Sequence, residues 1–182
     1  MLKGFVLGIV VGALAIAAGV YFYFASGRAP VATAAAPMPF EKKFARIGLH
    51  AYLARLPHPD SPVAADEANL AAGARIYVEN CAVCHGLPGQ PPTAIAAGMF
   101  PKPPELFRGK GVTDDDAWET YWKVKGGIRM TGMPAFQGRM TENEMWQVSV
   151  LARNADKIPP SASRVLAAGA TLAPPPSAPI AR

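Results

Sequence analysis

Five consecutive residues, Cys81-Ala82-Val83-Cys84-His85, constrain this chain more than any other stretch. They hold both cysteines of the protein and one of its three histidines. A zinc site built on two thiolates needs two further ligands at tetrahedral distance. The remaining histidines, His50 and His58, lie far upstream in a stretch broken by proline. A thioredoxin-type redox pair wants a βαβ pattern around it, and none is visible.

The C-x-x-C-H spacing is the attachment signature of a c-type haem. Cys81 and Cys84 add across the two vinyl groups of one haem, and His85 then lies beneath the iron. No histidine follows His85. A general base for peroxide chemistry would therefore have to be an Asp or a Glu.

The net charge of +5 invites a nucleic-acid reading only if it lies on a folded face. From Asp66 to Ile158 there are ten Lys/Arg against eleven Asp/Glu. The basic excess belongs to the first 65 residues, with six basic and two acidic, and to the two arginines of the last 24. Haem propionates make the middle of the chain more acidic still. Nucleic acid is not expected as a partner.

The N-terminus runs from Gly4 to Ala25 without a charge. As a helix rising 1.5 Å per residue it measures about 33 Å, enough to span a bilayer with modest tilt. A cleaved signal peptide has a shorter apolar region and a small-residue cleavage site. Alanines near 32–36 keep cleavage open, while length favours a retained anchor over residues 1–27. Tyr21, Phe22, Tyr23 and Phe24 suit an interfacial belt at its far end. Gly4, Gly8 and Gly12 recur every fourth residue, a spacing that either reflects how common glycine is in membrane helices or gives a docking face for another membrane subunit.

Residues 28–65 read as a linker carrying one basic amphipathic helix, Phe40 to Leu56. Phe40, Phe44, Ile47 and Ala51 share one face, with Lys42, Lys43, Arg46 and Arg55 on the polar side. Such a helix suits lipid headgroups, a partner protein, or its own domain equally well. His50 and His58 read as ordinary exposed residues. A domain over 66–158 follows. Leu70, Ala74, Tyr77 and Val78 give an apolar helix face leading into the cysteines, and a loop rich in Gly and Pro runs from Gly86 to Pro104. Thr113 with Asp116 and Thr141 with Glu144 read as capping boxes for two further helices. Residues 159–182, mostly Ala, Pro and Ser, are expected to be disordered.

The sixth iron position decides between chemistries: a thioether suits electron transfer, an open position suits ligand binding or peroxide chemistry. Met133 lies in GIRMTGMPAF directly before Pro134, which holds it extended. Met130, three residues earlier, is its competitor.

With these motifs in this order the chain resembles a class I c-type cytochrome in a membrane-anchored bacterial form. The likeness rests on the Gly73/Tyr77 helix, CAVCHG at 81–86, KPPEL at 102–106, GMPAF at 132–136 and the C-terminal helix with Trp146. It implies an all-α cytochrome c fold of three to five helices around one covalent haem c, behind a single transmembrane helix. It also implies axial ligands His85 and Met133, Gly73 at the crossing of the first and last helices with Tyr77 and Trp146 packed there, and a backbone carbonyl near Pro103–Pro104 holding the histidine N–H. The haem domain is then expected on the periplasmic side of the cytoplasmic membrane. There it would carry single electrons as a shuttle to, or a subunit of, a respiratory or oxidoreductase complex with redox protein partners. It would not be an enzyme in itself. The alternative is a haem sensor whose methionine a small ligand displaces.

Overall fold

The computed structural model describes residues 2–108 and 114–172. Among these the chain is all-helical: α1 (Leu2–Ala25), α2 (Glu41–Leu53), α3 (Glu67–Asn80), α4 (Ala82–His85), α5 (Ala94–Gly98), α6 (Ala117–Gly126), α7 (Glu142–Arg153) and α8 (Pro160–Leu172). It divides into two compact units, Met1–Phe44 and Ala45–Arg182.

In the first unit, α1 buries none of its 24 residues and carries no charge after Lys3. Its leucines, valines and phenylalanines are exposed, and lipid is the environment that its composition suits. Gly4, Gly8 and Gly12 face open space. The helix is a candidate membrane anchor.

The second unit is built on α3, α6, α7 and α8. Asp66 caps α3 by accepting the Asn69 N–H at 2.8 Å. The helix then buries Leu70, Ala74 and Tyr77, the i, i+4, i+7 face expected of it. That face meets α7, whose Met145, Val148, Leu151 and Ala152 are all buried. The two helices cross at Gly73. A Cβ there would collide with the Gln147 carbonyl oxygen and lie 3.1 Å from Leu151 Cβ, so no larger residue allows this approach. Tyr77 and Trp146 are both buried in this core but find their ring partners elsewhere. Tyr77 meets Phe107 edge-on at 5.0 Å, and Trp146 stacks on Tyr121 of α6 at 4.2 Å.

The capping box at α7 forms in full: Thr141 Oγ1 accepts the Glu144 N–H, and the Glu144 carboxylate accepts the Thr141 N–H at 2.8 Å. The Thr141 N–H and the Thr141 hydroxyl, both donating to it, hold the Glu144 carboxyl below its ordinary value of 4.5. Their stabilisation is therefore complete above that value and disappears as the pH falls through the lower, folded one. Thr141→Ala is expected to cost about 1 kcal/mol of unfolding free energy, read by urea titration at neutral pH. At α6 the cap is Asp116, which makes no side-chain cap bond, and the helix starts at Ala117. Thr113, its expected capping partner, lies outside the described residues.

Two boundaries differ from the sequence reading. The disorder expected from residue 159 gives way to α8, which packs on α3. Ala162 and Leu166 are buried, and Gly169 sits against Val78, where a Cβ would lie 2.7 Å from Cγ1. Pro160 at the first helical position is preset for a helix start, and the Ala162, Val165, Leu166, Gly169 stripe is a helical face with one large residue, Leu166, among smaller ones. Residues 173–182 of the expected tail lie outside the described residues. The expected linker also divides, because its second half groups with the helical domain. Pro57 accepts the Trp122 indole N–H at 2.9 Å, and His58, exposed as expected, stacks on Trp118 at 3.8 Å.

Candidate haem site

The end of α3 delivers the cysteines. Cys81 caps the helix, its N–H bonding to Tyr77 O at 2.8 Å, and α4 adds one more turn through Cys84 and His85. Both thiols are free and half-buried. Burial, and the neighbouring Cys84, push the Cys81 thiol up to about 12. Such a thiol stays protonated at neutral pH, unlike the depressed thiolate of a redox-active pair.

The chain then turns at Gly86, and the turn is pinned from within. The Tyr77 hydroxyl donates to the Gly86 carbonyl at 2.7 Å, which ties the buried face of α3 to the residue after His85. Burial pushes the Tyr77 phenol well up, with Cys81 a smaller cause, so it remains a donor. Thr93 Oγ1 donates to Val83 O at 2.6 Å and caps α5 by accepting the Ala96 N–H. The loop is thereby folded back on the cysteine turn. Neither bond was apparent from the sequence, since each joins side chain to backbone across nine or ten positions.

His85 Nδ1 lies 2.8 Å from the Pro104 carbonyl oxygen. A carbonyl only accepts, so Nδ1 carries the proton and Nε2 keeps its lone pair. Burial lowers the imidazole's proton affinity, opposed by the Pro104 bond. A neutral ring fixed at Nδ1 is the form in which histidine ligates iron. A cleft opens beside it, lined among others by Cys84, His85, Ala96, Lys102, Phe107 and Arg108. Two unpaired thiols on one turn, an oriented imidazole and an adjoining cleft fit a covalently held haem.

Met133 is not among the residues lining that cleft. It sits on the loop between α6 and α7, half-buried and packed against the core. Its N–H bonds to Thr131 Oγ1 at 3.1 Å, and its carbonyl accepts the Ile128 N–H at 3.2 Å. Met130 is 92% exposed, with φ at +61°. The loop is closed onto α6 by Phe136 N–H to Val124 O at 3.0 Å and Gln137 N–H to Lys125 O at 3.2 Å. Met99 reaches the same loop from the end of α5, its methyl group resting on Gly132.

Together, the crossed helices and the cysteine turn with its oriented imidazole define a c-type cytochrome domain, which holds haem c covalently and serves electron transfer. Residues 68–150, just under half the chain, match the family described as cytochrome C oxidase, cbb3-type, subunit III. Comparison with curated proteins and with solved structures gives no match.

Proposed function

We propose that the protein is a membrane-tethered monohaem cytochrome that carries single electrons on the outer face of the cytoplasmic membrane. Cys81 and Cys84 would hold the haem by thioether bonds, and His85 Nε2 and the Met133 sulfur would supply the protein's two ligands to its iron. When bound, the haem supplies one-electron exchange at iron. The observation that carries this reading is the His85 Nδ1–H bond to Pro104, which leaves one nitrogen free and aims it. The Tyr77–Gly86 bond keeps that turn from relaxing, so the imidazole holds one orientation. Lys102 and Arg108 at the cleft suit the negative propionates. Met130 is almost fully exposed while Met133 is half-buried against the core, which favours Met133 as the thioether donor. α1 supplies the anchor, and its glycine stripe suits contact with another membrane subunit of a respiratory or oxidoreductase assembly.

The test is the optical spectrum of the purified full chain, oxidised and reduced, with and without carbon monoxide. A low-spin spectrum that carbon monoxide leaves unchanged is expected. Met133→Ala should abolish the long-wavelength thioether-to-iron band and open the iron to carbon monoxide, while Met130→Ala leaves both properties intact. Carbon monoxide binding by the unsubstituted protein would instead make it a haem sensor.

A further inference from the structure

Helix α5 is short, but it touches both the cysteine turn and the methionine loop. At its start the Thr93 hydroxyl donates to Val83 O at 2.6 Å and accepts the Ala96 N–H. Along its length Ala96 and Ala97 line the cleft. At its end the Met99 N–H bonds to Ala96 O at 3.3 Å, and the half-buried Met99 side chain reaches the loop between α6 and α7. It lands on Gly132, the residue before Met133. A Cβ at Gly132 would fall on the Met99 methyl group and lie 3.5 Å from its sulfur, so the glycine makes room for this contact. The loop's hydrogen bonds run elsewhere. Phe136 and Gln137 donate to the Val124 and Lys125 carbonyls of α6, while Ile128, Thr131 and Met133 bond among themselves. A loop bonded to one helix along one edge swings about that edge, and a support from a second element stops the swing.

We infer that Met99 is a positioning residue for Met133: held by α5 against the cysteine turn, it props the loop at Gly132, so that incoming small molecules displace Met133 less readily. This inference rests on the proposal that Met133 supplies a ligand to the haem iron. An unbranched, flexible thioether suits the task, since it follows the contour of the loop and packs on a bare glycine. The loop opens locally as far as its weakest contacts allow, and an outside ligand binds through the open fraction. Met99 sets that fraction from outside the ligand set. Thr93 takes part from the other end of α5, because a prop resists only when its own base is fixed. The consequence is functional. The contact favours electron exchange over the capture of small ligands, the property that separates a carrier from a sensor.

The experiment uses the full haem-loaded chain in detergent and follows imidazole binding to the ferric protein by stopped flow. The thioether-to-iron band and amide hydrogen exchange over residues 128–136 are read alongside. Met99→Ala is expected to keep the band and to exchange faster in this loop. It is expected to bind imidazole about five- to tenfold faster, the factor that half the burial of a methionine side chain supports. Met99→Leu, which refills the volume, should restore slow binding. Thr93→Val should speed binding as well, and it tests the inference independently if Met99→Ala yields too little folded protein. Leu166→Ala, which loosens α8 instead, should leave the rate unchanged. A Met99→Ala protein that keeps its band and binds imidazole no faster than the unsubstituted one overturns the inference and leaves Met133 standing as a ligand. Equal acceleration by Leu166→Ala also overturns it, because the effect would then follow overall stability. Unchanged binding in Thr93→Val removes α5 as the base of the prop. A band lost in Met99→Ala but kept in Met133→Ala would make Met99 itself the thioether donor. A band missing from the unsubstituted protein overturns the Met133 reading, and the inference falls with it in both cases.

Discussion

Replacing Gly127 by alanine is expected to cost about 3 kcal/mol of stability and to loosen the methionine loop. Gly127 ends α6 with φ at +65°, a conformation that penalises any Cβ. The space is closed as well: a Cβ there would lie 2.6 Å from Ala135 N, 2.7 Å from Pro134 C and 2.9 Å from Met133 O. All three are backbone atoms of the loop that carries Met133, so the loop must move for the substitution to be accommodated. Urea unfolding reads the first effect, and the thioether-to-iron band reads the second in folded protein. Gly126→Ala is the control. That residue is helical, with nothing within 4 Å of its Cβ position, and alanine there should be neutral or slightly stabilising. A Gly127→Ala protein with unchanged stability and an unchanged band would mean that the loop is not anchored at this point.

Leu166→Ala is expected to destabilise the domain by about 2–5 kcal/mol, the range for truncating a buried leucine. Leu166 is 1% exposed in the middle of α8, and its neighbours on the same face, Ala162 and Gly169, are too small to fill the space. The measurement is the shift in urea midpoint at unchanged slope. A substitution without effect would mean that α8 does not cover α3 in solution. The helix contributes little apolar area per residue, so its one large buried side chain carries much of its attachment.

The parts of this structure that were legible in the sequence share a property: their signals are local. Cys81, Cys84 and His85 announce themselves within five residues, the Thr141–Glu144 box within four, and the α3 face within two turns. α8 was hidden because its buried face is Ala162, Val165, Leu166 and Gly169, and alanine and glycine register weakly as hydrophobic signals. Yet small residues are what let α8 lie close against Val78. The contacts that shape the site were hidden for another reason. Tyr77 to Gly86, Thr93 to Val83 and His58 on Trp118 each depend on where the chain returns, which periodicity does not encode. Gly127 was within reach, since glycine after a helix ending in Lys123 and Lys125 is a common stop signal. The resemblance to class I cytochromes supplied the Pro103–Pro104 carbonyl that composition and spacing leave unspecified, and Pro104 accepts the His85 N–H.

The crossing at Gly73 and Gln147 joins positions far apart in the chain, and every segment around the haem cleft is strung between them. Once that clasp is shut, the length of an intervening loop is a cheap variable: each doubling adds only about 0.6 kcal/mol of closure entropy. The segment from Gly86 to Pro104 can therefore lengthen, shorten or change its surface without endangering the fold, provided that Thr93 and Pro104 keep their two bonds to the cysteine turn. Descendants of such a domain are free to remodel the rim of the cleft, while the crossing that closes the fold admits almost no change.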